Sequence, residues 1–265
     1  MGKQQKSPEW SDQWSRFQDE ERFLFEDWIL PTTLEDFRDQ EVLECGCGGG
    51  QHTAFVAEVA GHVTAVDLNT VEIARDRTKN FDNVELVEDD IAAMDLSRTF
   101  DVVFCIGVIH HTDDPDRTFE NLYRHCRPGG KLIVWAYSKE GNGLVRLLVE
   151  PPRALVLRHL PRAFIGLLSR ILTALLYVPV HTIYRIESLQ FLPFFEYFSN
   201  FRELSFERNA LNVFDKLNAP QTRFISRESC AEWLGGDRFE PGSTSIRHYA
   251  GVSYSLVGVR AEKSA

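Results

Sequence analysis

From Glu41 onward, short β-rich runs alternate with stretches whose apolar residues recur every three or four positions. The runs EVLEC (41–45), HVTAVDL (62–68), NVELVEDD (83–90), FDVVFCIGV (100–108) and KLIVWAY (131–137) predict strands. Between them, QHTAFVAEVA, TVEIARDRTKN and DRTFENLYRHC carry the spacing of crossover helices. The alternation predicts an α/β fold, a parallel sheet with helices on both faces. Pro128, Gly129 and Gly130 predict a turn into the fifth strand.

The flanks read differently. Residues 8–38 are rich in acids and aromatics, with Trp10, Trp14, Phe17, Phe23, Phe25 and Trp28 spaced mostly at helical intervals. One or two amphipathic helices are expected there, either as a lid on the sheet edge or as part of a substrate cavity. After Ser138 the alternation stops for a Pro- and Leu-rich stretch, and TSIRHYAGVSYSLVGVRAE then has the Gly-punctuated alternation of paired strands. The organisation expected is a helical lid (1–40), a sheet domain (41–138 and 228–265) and a helical cap inserted at 139–227. In the cap, Phe164, Leu167, Leu168, Ile171, Leu175 and Val178 fall on one helical face. The run 171–183 contains Pro179 and is shorter than the roughly 20 residues of a bilayer span, so it is expected not to cross a membrane.

Composition is that of an ordinary globular chain of 265 residues, 43% hydrophobic and 26% charged. A net charge of -10 argues against nucleic acid as a partner. Residues 144–186 depart from that balance, with six arginines against one acid, Glu150. Such a segment suits a peripheral contact with anionic lipid, an anionic apolar substrate, or a cap that buries its leucines and solvates its arginines. Five cysteines, odd in number and without a CxxC pair, predict reduced thiols and a cytoplasmic setting. The start MGKQQKSPEW lacks the apolar core of a secretory signal and has Lys6 where a myristoylation motif has Ser or Thr.

Candidate chemistry gathers at VLECGCGGGQHT (42–53). A strand that ends in glycines and runs into a helix brings bare backbone and a helix N-terminus against a ligand. Glycines at 46, 48 and 50 give GxGxG, and Gln51 stands where the dinucleotide fingerprint needs glycine, which weighs against a nicotinamide oxidoreductase. Glu44, Asp67 and Asp90 end successive strands, a pattern suited to a cationic ligand carrying an adenosine. Cys45, Cys47 and His52 lack a fourth ligand and a usual zinc spacing, and His110, His111, Asp113, Asp114 and Asp116 read first as a cap for the next helix, so no metal is expected.

These segments, with RPGGKLIVWAY, resemble the successive motifs of class I S-adenosylmethionine-dependent methyltransferases, especially the ubiquinone and menaquinone branch. The resemblance implies a Rossmann-like, doubly wound seven-stranded sheet with a terminal antiparallel strand, and S-adenosylmethionine as cofactor. It places Glu44 near the methionine amino group, Gly46 and Gly48 under methionine and ribose, and Asp67 with Leu68 at the ribose. Asp90 and Ile91 would read the adenine, and Cys105 and Ile106 would flank the reacting methyl. His110 is the first candidate for a base, His248 the second, with a satisfied strand-end histidine as the competing reading of His248. Asp215 and Asn212 either reach the acceptor or cap a helix. The expected acceptor is small or lipid-like, hydroxylated or aromatic; a noncatalytic cofactor-binding protein is the alternative.

Overall fold

A computed structural model describes residues 6–16 and 21–262. Phe17 and the first five residues of the MGKQQK start lie outside the described residues.

The strands are β1 (Glu41–Cys45), β2 (His62–Asp67), β3 (Val84–Glu88), β4 (Phe100–Ile106), β5 (Cys126–Tyr137), β6 (Ser245–Tyr249) and β7 (Ser253–Val259). They form a seven-stranded sheet in the order β3-β2-β1-β4-β5-β7-β6, in which β7 runs antiparallel to both neighbours and the other pairings are parallel. The fold is the Rossmann-like sheet the resemblance implies. One expectation needs adjusting. Residues 128–130 do not precede the fifth strand but lie inside it, where the register with β4 slips between Phe100 and Val102. An irregularity of this kind absorbs extra residues within a strand, and Gly129, at φ +73°, supplies the required turn.

The helices are α1 (Pro8–Arg16), α2 (Arg22–Trp28), α3 (Gln51–Ala57), α4 (Val71–Thr78), α5 (Pro115–His125), α6 (Gly143–Leu148), α7 (Glu150–Leu155), α8 (Arg162–His181), α9 (Phe195–Phe201), α10 (Phe206–Asn218) and α11 (Arg227–Trp233). One sheet face packs Leu43, Val103 and Leu132 against Phe119 and Leu122 of α5 and Trp233 of α11. The other packs Val42, Phe104 and Ile133 against Phe25 and Trp28 of α2 and Val56 of α3. Asp114 caps α5, its carboxylate accepting from Arg117 N–H at 3.0 Å, which is the local work of the HHTDDP turn.

The cap leaves the sheet at Ser138 and returns beside it: Ile225 N–H donates to Tyr137 O at 2.9 Å and Lys139 N–H to Ile225 O at 2.7 Å. Its own small core joins Ile165 of α8 to Phe214 and Leu217 of α10. The helix here is longer than the uncharged run 171–183. Helix α8 is continuous over 20 residues and, by length and apolarity alone, could cross a bilayer. Arg170 does not interrupt it because its guanidinium reaches out to Glu207, and Pro179 sits in the last turn.

Candidate active site

The strand order reverses between β1 and β4, and in open α/β sheets the crevice at the carboxyl ends beside such a switch point is where ligands bind. The glycine loop follows β1, and Gly107 follows β4, so both lie at that crevice. Gly46 (φ +87°) requires glycine twice over: its conformation is left-handed, and a Cβ there would come within 2.5 Å of Val108 Cγ2. A Cβ at Gly48 would come within 2.8 Å of the Trp14 ring. Asp67 ties the loop to β2. Its Oδ2 accepts from Gly48 N–H at 3.1 Å, and its Oδ1 accepts from Asn69 N–H at 2.7 Å and Thr70 N–H at 3.1 Å. Burial pushes this carboxyl upward, while those N–H donors pull it back.

A cavity of about 440 Å³ runs from this loop to the cap. Gly46, Gly48, Asp67, Leu68, Asp90, Ile91 and Ile106 all line it. Among the buried polar atoms of its wall, Gln51 Oε1, Trp28 Nε1 and Trp135 Nε1 have no hydrogen-bond partner among the described residues. The wall thus offers an acceptor, two donors and an acidic strand tip, which fits an ammonium-bearing nucleoside with ribose hydroxyls.

Two expected cofactor contacts lie elsewhere. Cys105 is buried in the opposite face of the sheet, because side chains alternate along β4 and Ile106 takes the cavity side. Glu44 points beneath the loop, not into the cavity. Thr53 Oγ1 donates to its Oε2 at 2.5 Å, and His52 Nδ1 stands 3.9 Å from its Oε1. It anchors the first turn of α3. Full burial raises its pKa to about 8.

That shift has a measurable consequence. The folded chain holds a proton that the unfolded chain releases near pH 4.5, so this group's contribution to stability is complete below that pH and is lost as pH rises through about 8. Across the window stability is expected to fall steadily as pH rises. Urea unfolding at pH 6 and pH 8 should show this fall in the parent chain and a flatter profile in Glu44→Gln; parallel profiles would refute it.

Of the two histidine candidates, neither lines the cavity. His248 is exposed on β6, its Nε2 is 3.2 Å from Ser138 Oγ, and its ring packs on Tyr254, which matches the satisfied strand-end histidine. His110 is fully buried behind the wall. Its Nδ1 accepts from Tyr137 N–H at 3.3 Å, which puts the ring proton on Nε2, and burial holds its pKa well below the usual value. The reason is local: 109–111 form a turn of 3-10 helix, so neighbouring side chains leave it in different directions, and His111 takes the cavity side.

His111 sits in a polar corner of an otherwise apolar space. Its Nδ1 donates to Gln221 O at 2.8 Å, leaving the Nε2 lone pair free, 4.0 Å from Asp215 Oδ1. Burial lowers its pKa, partly opposed by Asp215. Tyr137 OH donates to Asp215 Oδ2 at 2.9 Å, and Gln13 Nε2 to its Oδ1 at 3.3 Å. Asp215 and Asn212 of α10 both line the cavity.

Helix α1 closes the space from above. It is pinned on the loop side by Ser11 Oγ donating to Asn69 O (2.6 Å) and on the cap side by Glu9 with Arg162 (2.6 Å). Trp10 and Trp14 line the cavity and Trp10 packs on His111, ring centroids 4.7 Å apart, so the N-terminal segment is both lid and wall. Among the described residues no three His, Cys, Asp or Glu side chains converge as a metal site, and all five cysteines are free and buried.

Sheet order, glycine loop and acidic strand tips define a methyltransferase-type α/β domain. Residues 43–134 match the family model described as "Methyltransferase domain", and this part of the chain is similar to class I S-adenosylmethionine-dependent methyltransferase domains, those of the ubiquinone branch among them. An uncharacterised protein of Synechococcus sp. is 29% identical over 117 residues, 41% of this chain and 28% of that protein. The mitochondrial ubiquinone biosynthesis O-methyltransferase of Schizosaccharomyces pombe is 31% identical over 132 residues, 47% of each chain. The chain thus spans about half or less of the length of these relatives. Magnesium protoporphyrin IX methyltransferase of Synechocystis, solved with bound SAH, superposes with a TM-score of 0.53 at 14% identity over 94% of each chain, a likeness of fold.

Proposed function

We propose that the chain transfers a methyl group from S-adenosylmethionine to a hydroxyl of a small or lipid-like aromatic acceptor. The observation that carries this reading is the free Nε2 lone pair of His111, facing an apolar cavity that is continuous with the glycine loop. S-adenosylmethionine, when bound, supplies a methyl group on a positively charged sulfur and a neutral thioether as leaving group. The loop glycines, Asp67, Asp90 and Gln51 are the residues that would hold it.

The acceptor half is walled by Trp28, Trp135, Tyr197 and Phe198, rings that exclude water and suit a flat apolar molecule. His111 Nε2 accepts the acceptor's hydroxyl proton, Gln221 O holds the ring in the needed tautomer, and Asp215 offsets the imidazolium charge that results. An oxygen acceptor is further supported by the O-methyltransferase names of the relatives.

The test is incubation of the full chain with deuterated-methyl cofactor and whole-cell lipid and metabolite extracts. The expected product carries a three-deuterium mass shift on a phenolic oxygen. Absence of any labelled product would favour a noncatalytic binding protein, and label on carbon or nitrogen would overturn the oxygen acceptor.

A further inference from the structure

Helix α8 has two unlike sides. One buries Ile165, Ser169, Thr173 and Val180. The other presents Phe164, Leu167, Ile171, Leu175 and Val178, from 48% exposed at Ile171 to 69% at Val178, at the three- and four-residue spacing of a single helical stripe. Neighbouring α6 and α7 add Leu147, Leu148 and Leu155, each more than 60% exposed. Scattered exposed leucines need no explanation; an apolar surface continued across neighbouring helices does.

Charge says what would cover it. In a chain of net charge -10, residues 144–186 carry six arginines and one acid. Arg153, Arg162 and Arg170 are paired with Glu150, Glu9 and Glu207. Arg146, Arg158 and Arg185 are exposed and form no ion pair among the described residues. Apolar side chains flanked by unpaired guanidinium groups match the acyl boundary and phosphate layer of a bilayer leaflet. The same helices also face inward, since Val145 and Val149 at α6 and Leu176 of α8 line the cavity.

We propose that this face of the cap seats on an anionic phospholipid bilayer, with α8 lying in the headgroup plane, so that an apolar acceptor reaches the cavity from the lipid. The docking stands on the surface alone; the entry route rests on the methyl-transfer reading above. Spanning is the wrong geometry, because α8 is held against α10 by its buried side and by the Arg170–Glu207 pair.

Sedimentation of the full chain with sucrose-loaded vesicles, without cofactor or acceptor, tests the docking separately from any chemistry. The chain is expected to pellet with phosphatidylcholine vesicles containing about one-third phosphatidylglycerol, and at least about tenfold less with phosphatidylcholine alone. Leu167→Glu/Ile171→Glu/Leu175→Glu should abolish pelleting while the thermal melt stays cooperative. Arg146→Gln/Arg158→Gln/Arg185→Gln, which leaves the apolar stripe intact, should erase the preference for the anionic vesicles and cover the case in which the first variant does not fold. The proposal is overturned if the parent chain stays in the supernatant, if either variant behaves like the parent, or if the parent is a dimer that the Glu substitutions convert to monomer, which would make a second copy the occupant. A failed methyl-transfer assay alongside vesicle binding would remove the acceptor route and leave the docking in place.

Discussion

His111→Asn is expected to lower kcat by a factor of about 10² to 10⁴, with cofactor affinity close to that of the parent chain. The ring is already set for proton transfer: Nδ1 is committed to Gln221 O, so the free lone pair is on Nε2, and Trp10 packs against the ring. Burial keeps the imidazole neutral to lower pH than usual, so the base form dominates near neutrality. Activity should therefore be lost on the acid side, as pH falls through a pKa below the ordinary histidine value of 6.5. Asp215→Asn should push that acid limb lower still, since the carboxylate, with the bond to Gln221 O, raises the pKa, and should also reduce kcat because the developing imidazolium loses its counter-charge. His110→Asn is the discriminating control. It removes the acceptor for Tyr137 N–H inside the protein and should cost stability more than turnover. A large kcat loss in His110→Asn with an unaffected His111→Asn would reverse the assignment.

The β1-to-β5 frame was readable because burial of both sheet faces leaves near-continuous apolar runs, and turns separate them cleanly. EVLEC and FDVVFCIGV fall on the observed strands to within a few residues. The glycine loop and Asp67 were legible for a related reason: backbone conformation and strand-end chemistry are local properties. Which side a residue faces was harder. Along β4 the alternation fixes Cys105 and Ile106 on opposite faces, but not which face carries the ligand. The same alternation puts Trp135 and Tyr137 together on the cavity side of β5, a signal present in KLIVWAY that only the sheet order makes interpretable. His110 and His111 could not be separated, because the groups that engage them, Arg223 N–H donating to His110 O and Gln221 bonding His111, lie more than 100 residues away in the chain. The uncharged run 171–183 is shorter than α8 because Arg170 bounds it, whereas an arginine stem can lie along a helix and place its head outside.

Asp67→Ala is expected to weaken binding of S-adenosylhomocysteine by about 10- to 100-fold, the factor given by roughly 1.4 to 2.8 kcal/mol. Two losses combine. The ribose hydroxyls lose a charged acceptor, and Gly48, Asn69 and Thr70 N–H lose theirs, so the loop that should receive the ligand is itself released. Asp67→Asn separates the two. An amide oxygen can keep the Asn69 and Thr70 bonds, but its NH₂ group would meet Gly48 N–H donor to donor, so affinity should fall to an intermediate value with the melting temperature little changed. The proton linkage has a definite sign: the carboxylate form binds, burial has raised the pKa, and affinity in the parent chain should decline as pH falls toward that raised value, with no such decline from this group in Asp67→Ala. Calorimetric titration of the folded variants decides it. An unchanged dissociation constant would mean that the acidic strand tip serves only the loop, and the grip on the nucleoside would have to come from Asp90 and Gln51 instead.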